Sequence, residues 1–300
     1  MTNNNFPPKH RSFFPYLLIA PTLLFVTLFT AWPTLLALYQ SFFIQRLNIR
    51  KYRIPTFNGV QNYADLFGDE TFHQVLLNTF IYIAGTVPVS IALGLFFALL
   101  VNRRMRGLGF VRLAFFYPTV LPMVSAATIW LFFFTPDYGI FNTFLRLTGY
   151  GGPQNWTANP RLALLATMIV VVWKNAGYYM LFYLAGLQNL PTDVYEAASL
   201  DGATAWQQLW QITLPLLRRT TLFISTIALI SAFQTVDQIF VLTRGGPSGA
   251  STVLLYWLWE VRFEYLNVGQ AATITVILIL VLLLFTVTNF LLSEQGEERV

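Results

Sequence analysis

EAASLDGATAWQQLWQITLPL, residues 196–216, is a surface-seeking stretch between two long apolar ones, and its reading decides the fold. Glu196-Ala197-Ala198 is followed after three residues by Gly202, then after nine by Ile212, and then by Leu214-Pro215. Each of these positions is roughly a one-in-twenty event at average residue usage, so chance does not account for the spacing. Upstream, Pro191-Thr192-Asp193 is a helix-start signal, and Asp193 with Glu196 three residues later reads as an aspartate version of the capping box. VYEAASL would then line one face of a short helix, and Gly202 suits the left-handed position that ends it. Two readings follow from the residues alone. Glu196 caps an interfacial helix lying on a membrane, or small Ala197 and Ala198 let a partner protein approach closely. The two are compatible.

Composition places the flanking segments in a bilayer. Hydrophobic residues make up 56% of the 300 and charged residues 10%, against about 25% charged in soluble domains. A net charge of +5 is too dilute to point to nucleic acid; in such a chain it reflects basic residues beside helix ends. There is no cysteine, which removes disulfides, iron–sulfur clusters and thiolate zinc sites. The two histidines, His10 and His73, fall in different polar stretches, so no metal site is expected. The first apolar segment is too long for the core of a cleavable signal peptide.

Six stretches reach the roughly 20 apolar residues that a crossing needs, near 13–40, 76–101, 113–134, 162–188, 220–243 and 268–292. Helix is expected for each, because lipid offers backbone groups no water. Pro21, Pro33, Pro88, Pro118 and Pro122 fall inside them and predict kinks that shape a cavity. Arg103, Arg104, Arg106 and Arg112 crowd one short loop, Lys9 and Arg11 precede the first span, and Arg218 and Arg219 precede the fifth. The positive-inside rule puts these regions, both termini and the Glu196 loop in the cytoplasm. The outer connections, with GYGGPQNW and RGGPSGAS, read as compact ordered loops.

Charges within the spans are the next clue. Lys174 lies mid-span in the fourth segment and Asp237 in the second half of the fifth. A charge at the bilayer centre costs roughly 2.5–3.5 kcal/mol on insertion scales, so it faces a partner or a cavity. They read either as a structural ion pair or as part of a substrate path. Val171, Lys174, Asn175 and Tyr178 share a helical face, a mixture of apolar, cationic, amide and aromatic groups that suits a sugar. Ser231, Gln234 and Thr235 form a comparable face, with Asp237 further round the helix. Packing is the competing reading for both stripes. No GxxxxGK[ST] loop occurs, so an ATP-driven process would need a separate engine. No Ser/His/Asp or paired-carboxylate arrangement looks catalytic.

The spacing of Glu196, Ala197, Ala198, Gly202, Ile212, Leu214 and Pro215 resembles the EAA loop of permease subunits in binding-protein-dependent ABC importers. The likeness extends through PYLLIAPTLLF (15–25), FNGVQNYADLF (57–67), LGLFFALLVNRRMRG (93–107), FFYPTVLP (115–122), TPDYGIFN (135–142), GYYMLFYLAGLQNLP (177–191) and VLTRGGP (241–247). These match the carbohydrate-uptake permeases related to maltose and glycerol-3-phosphate importers.

The resemblance implies an all-α integral membrane protein with six transmembrane helices, the type I ABC importer permease fold, and a cytoplasmic coupling helix. It divides the chain into a tail (1–12), a permease domain (13–292, with the coupling loop at 191–217) and a second tail (293–300). It implies a second, homologous permease subunit as partner, two ATPase subunits that hold ATP and Mg, and a periplasmic or lipid-anchored binding protein. No cofactor is expected in this chain itself. The location implied is the bacterial cytoplasmic membrane.

By the same likeness, Val171, Lys174, Asn175, Tyr178, Ser231 and Thr235 line the substrate path. Serine and threonine stand on the fifth span where maltose-type permeases carry asparagine and phenylalanine, which points away from maltose. The function expected is import of a sugar or glycerol-derived polyol by alternating access. The alternative is a stand-alone secondary transporter or channel using Lys174 and Asp237.

Overall fold

The computed structural model describes residues 14–102, 107–149, 152 and 154–294. Lys9, His10, Arg11, Arg103, Arg104 and Arg106, and with them the charge cluster that orients the chain, lie outside the described residues, as do both expected tails beyond residue 294 and before residue 14. The protein is a helical membrane bundle. Four helices are long and apolar enough to cross a bilayer alone, and two bent pairs bring the number to six if each pair is one span.

The first span runs as Phe14–Val26, a π-helical turn Thr27–Ala31, and Trp32–Gln40. Pro33 has no N–H to give the preceding turn, and the wider turn absorbs the missing bond. Two helices, Glu70–Val101 and Ala163–Gln188, form the centre of the bundle. The former starts earlier than the apolar run suggests because Asp69 caps it, accepting from the Thr71 N–H at 2.8 Å. Small residues let the backbones close up: a Cβ on Gly94 would lie 2.7 Å from the Tyr179 Cβ, and one on Gly177 would overlap the Phe115 carbonyl. Some hydroxyls in the spans are satisfied within their own helix, as in Thr79 to the Val75 carbonyl and Thr86 to the Tyr82 carbonyl, both at 2.7 Å. Tyr82, Tyr183, Met180 and Ile224 are fully buried at this centre.

Two spans expected as continuous helices are broken. The third comprises Leu108–Val120 and Met123–Phe133, bent by 101°. Its break falls at Leu121, held extended (φ −66°, ψ 135°) by the proline that follows, so the helix cannot run on. The fifth runs as Arg218–Phe233, loses helical structure at 234–236, and resumes as Asp237–Leu242. Unwound backbone at membrane depth is tolerated only where protein buries it or a cavity borders it, and both conditions hold below. The sixth span is the helix Val268–Glu294.

The connections are ordered and add a little β-structure to the helices expected. Phe43–Ile44 and Thr56–Phe57 pair antiparallel, and Asn62 donates to the Ser41 and Phe43 carbonyls at 2.8 and 3.0 Å. The 243–253 loop is held to the second span by Asn78, which donates to the Gly249 and Thr252 carbonyls at 2.9 and 3.0 Å.

Candidate functional site

Thr192–Leu200 forms a helix as the sequence predicts, and no residue on it is buried. Its start differs from expectation. Pro191 is the N-cap and no side chain caps it, so Asp193 and Glu196 do not make a capping box. That motif lies one helix later, where Thr204 and Gln207 cap Ala205–Gln208 reciprocally. The proline at Pro191 fixes an extended entry that displaces aspartate from the cap. The C-terminal end is as read: Gly202 has φ +80°, the Ala203 N–H bonds the Ala198 carbonyl at 2.9 Å, and the Gly202 N–H bonds Ser199 at 3.2 Å. This is a Schellman closure. No atom would meet a Cβ on Gly202 within 4 Å, so its constraint is conformational and not steric.

The chain then returns along a bent arm, Ala205–Leu216, which carries Ile212, Leu214 and Pro215. Two side-chain bonds fasten the arm to the short helix: Gln208 Nε2 donates to Ser199 Oγ at 3.1 Å, and the Tyr195 and Thr213 hydroxyls meet at 3.0 Å. Glu196 and Ala197 face outward from this clamped pair, and Ala198 is half-buried. The arm meets the fifth span at a 66° bend. Two hydrogen bonds and a 66° corner thus link the short helix to a membrane helix.

The breaks in the third and fifth spans border one cavity of about 330 Å³. Met123 comes from the third span, Val171 and Asn175 from the fourth, and Ser231, Gln234, Thr235, Val236, Asp237 and Gln238 from the fifth. Six of the eight residues that the sequence marks for a substrate path therefore share one wall. Within it, Ser231, Gln234 and Asp237 are exposed, while Thr235 and Gln238 turn back to the buried Tyr82 hydroxyl at 3.4 and 2.8 Å. Tyr82 thus holds the unwound 234–236 segment in place. Sequence reasoning missed it, because one tyrosine in an apolar run carries no sign of its partners.

Lys174 and Tyr178 are placed elsewhere. Tyr178 packs edge-on against Phe182 with ring centroids 4.9 Å apart. Lys174 does not pair with Asp237. Its Nζ donates to the Thr119 carbonyl at 2.7 Å and reaches the Pro118 carbonyl at 3.5 Å, while Thr119 Oγ1 donates back to the Lys174 carbonyl at 2.9 Å. The ammonium thus binds carbonyls at the C-terminal end of Leu108–Val120, where the break ends the helical ladder, and shares the Pro118 carbonyl with the Leu121 N–H. A larger cavity of about 570 Å³ lies between the second, third and fourth spans, but the side chains around it are apolar, among them Leu93, Phe97, Met168 and Trp173. It offers hydroxyls nothing to bond.

Toward the outer end of the fifth span, Arg244, Gln74, Thr71 and Glu260 border a polar cavity of about 410 Å³. Burial, and after it the neighbouring Glu264 charge, push the Glu260 carboxyl up to about 7. The Tyr256 hydroxyl bonded to it opposes the shift.

Comparison with known proteins bears on the whole chain. Residues 90–293 match the family model described as binding-protein-dependent transport system inner membrane component. The sn-glycerol-3-phosphate transport system permease protein UgpA of Agrobacterium fabrum is 34% identical, over 94% of each chain. The trehalose/maltose transport system permease protein MalF of Thermococcus litoralis is 33% identical, over 91% of this chain and 90% of its own. The lactose transport system permease protein LacF of Rhizobium radiobacter is 30% identical, over 95% and 94%. Among solved structures, a chain of a bacterial ABC transporter that imports the acidic polysaccharide alginate superposes with a TM-score of 0.81 at 21% identity, covering 95% of this chain and 96% of that one.

Two outcomes are expected. Lys174→Met removes the donor from the part-buried Thr119 carbonyl, a loss of about 1 kcal/mol, and lowers the thermal midpoint of the detergent-solubilised protein; Lys174→Arg, which can still donate, restores most of it. For Glu260, the folded state holds its proton up to about pH 7, above the ordinary 4.5. Its contribution to stability is present below the unfolded value and is lost as pH rises through the folded one. Glu260→Gln should therefore raise the thermal midpoint relative to wild type at pH 8 and leave the difference near zero at pH 4.

Proposed function

Because the chain belongs to the inner membrane component family of binding-protein-dependent transport systems, we propose that it is the permease subunit of an importer for a sugar or a glycerol-derived polyol. The observation that carries this reading is the exposed helix Thr192–Leu200, closed by Gly202 and fastened to an arm that enters a membrane span. Such an element is useful to a protein driven from outside itself, and superfluous to a channel. Two separate ATPase subunits would bind ATP and Mg and press on Glu196, Ala197 and Ala198. A second permease of similar fold would complete the pore, and a binding protein would deliver substrate from the outer side. The chain performs no covalent chemistry in this scheme.

The polar wall formed by Asn175, Ser231, Gln234 and Asp237 supports the substrate class. Amide and hydroxyl groups bond hydroxyls in either direction and the carboxylate accepts from them, and Val171 with Met123 gives the apolar patch that a sugar ring covers. Relatives named for lactose, trehalose/maltose and glycerol 3-phosphate fit the same range. In this proposal Lys174 serves by holding the third-span break, and so Met123, against the cavity. ATP-bound closure of the ATPases and a loaded binding protein would together favour the outward-open state, a shift of population between two arrangements. The basic residues Arg112, Arg218 and Arg219 support a cytoplasmic position for the Glu196 loop and both termini.

Glu196→Lys and Gly202→Asp test the coupling role. The first inverts a charge on the exposed face, and the second forces a side chain into a left-handed conformation that costs about 1–2 kcal/mol. Each should lower binding-protein-dependent uptake in proteoliposomes roughly tenfold, the equivalent of about 1.4 kcal/mol, with membrane insertion and yield unchanged. Wild-type uptake in both variants would remove the loop from the drive train.

A further inference from the structure

Trp206 and Trp210 stand on the arm Ala205–Leu216, and their rings meet edge-on with centroids 5.5 Å apart. They are 67% and 55% exposed, too open for residues of this size to be packing the protein's own interior. The opposite side of the arm is taken up by Gln208 and Thr213, which bond Ser199 and Tyr195 of the short helix. Beside the two tryptophans, Gln207 and Gln211 are exposed as a polar stripe. From residue 203 to 217 the arm carries no charge, and Arg218 and Arg219 follow at once, at the 66° bend into the fifth span. Leu216, at the end of the arm, and Phe223, beyond the bend on the span itself, are also exposed apolar residues.

From this arrangement we infer that the Trp206–Trp210 face lies on the lipid surface of the cytoplasmic leaflet, so that the arm is an interfacial helix. This rests on the membrane and orientation reading given above. Three features choose lipid over a protein partner. The arm that carries the aromatic face leads directly into a membrane span, which exposes Phe223 on its own surface. Tryptophan favours the headgroup level, where its ring is buried and its N–H stays wet. An uncharged arm ending in adjacent arginines suits an anionic leaflet, which attracts basic groups within about a Debye length. The consequence is mechanical. With the arm resting on the bilayer, force applied to the short helix cannot be lost by the arm lifting away, and turns the fifth span at its bend instead.

The natural absence of cysteine makes the test direct. Trp206→Cys, Trp210→Cys, Gln207→Cys and Gln211→Cys, each labelled with the fluorophore NBD, are assembled with partner subunits free of reactive cysteine, in nanodiscs containing phosphatidylglycerol. Phe223→Cys serves as the membrane control. The expected result is that labels at 206 and 210 are blue-shifted, quenched by lipid brominated near the headgroup and protected from iodide, while 207 and 211 show the reverse. The inference is overturned if 210 is as open to iodide as 211. It is equally overturned if 210 is shielded from both quenchers and opens to iodide when the ATPase subunits are stripped, since protein then covers it. Should the label at 223 also escape lipid quenching, the membrane reading itself fails; quenching at 223 without quenching at 206 and 210 defeats this inference alone.

Discussion

Water does not reach the hydrocarbon interior of a bilayer, and every carbonyl or N–H freed by a break in a helix must find its partner within the protein. This protein breaks two of its spans and braces each break with a side chain from a neighbouring span. At the third span, Lys174 reaches the Thr119 and Pro118 carbonyls from the fourth. At the fifth, Tyr82 of the second span receives Thr235 and Gln238. The space between the two breaks is the central cavity, so the groups that stabilise the broken helices also set its walls. A transport path needs polar surface at membrane depth, and these breaks provide it around one cavity.

The same economy governs the loop at 191–217. A short helix with no buried residue would not hold its shape by packing. It is closed by the left-handed Gly202 and fastened by the Ser199–Gln208 and Tyr195–Thr213 bonds. Each device is local, so the outer face remains free for a partner while the inner face stays in register with the arm. Elsewhere the 243–253 loop is tied to the second span in the same local way, by Asn78.

Much of this was legible in the sequence, for identifiable reasons. Apolar length located the spans because the bilayer imposes it, and Gly202 declared its own backbone conformation because few other residues adopt it. Six of eight candidate path residues share a cavity because helical periodicity places 171 with 175 and 231 with 234 and 235. The rest depended on partners distant in the chain. Lys174 read as an ion-pair or substrate group because sequence shows a charge and not the carbonyls opposite it. The capping box was placed one helix early because Asp193 and Glu196 have the right spacing, while Pro191 had already fixed the helix entry. The 101° bend at Leu121 exceeds an ordinary proline kink and comes from an extended residue between two helices.

ATP hydrolysis by the assembled complex tests the central claim most directly. The chain would be co-purified with its ATPase and permease partners in nanodiscs, supplied with its binding protein, and assayed against lactose, trehalose, maltose and sn-glycerol 3-phosphate. The account predicts that at least one loaded ligand stimulates hydrolysis several-fold over the unloaded binding protein, and that Asn175→Leu alters the response. If no ATPase co-purifies and none is stimulated, while liposomes holding this chain alone still transport solute, the permease reading is contradicted.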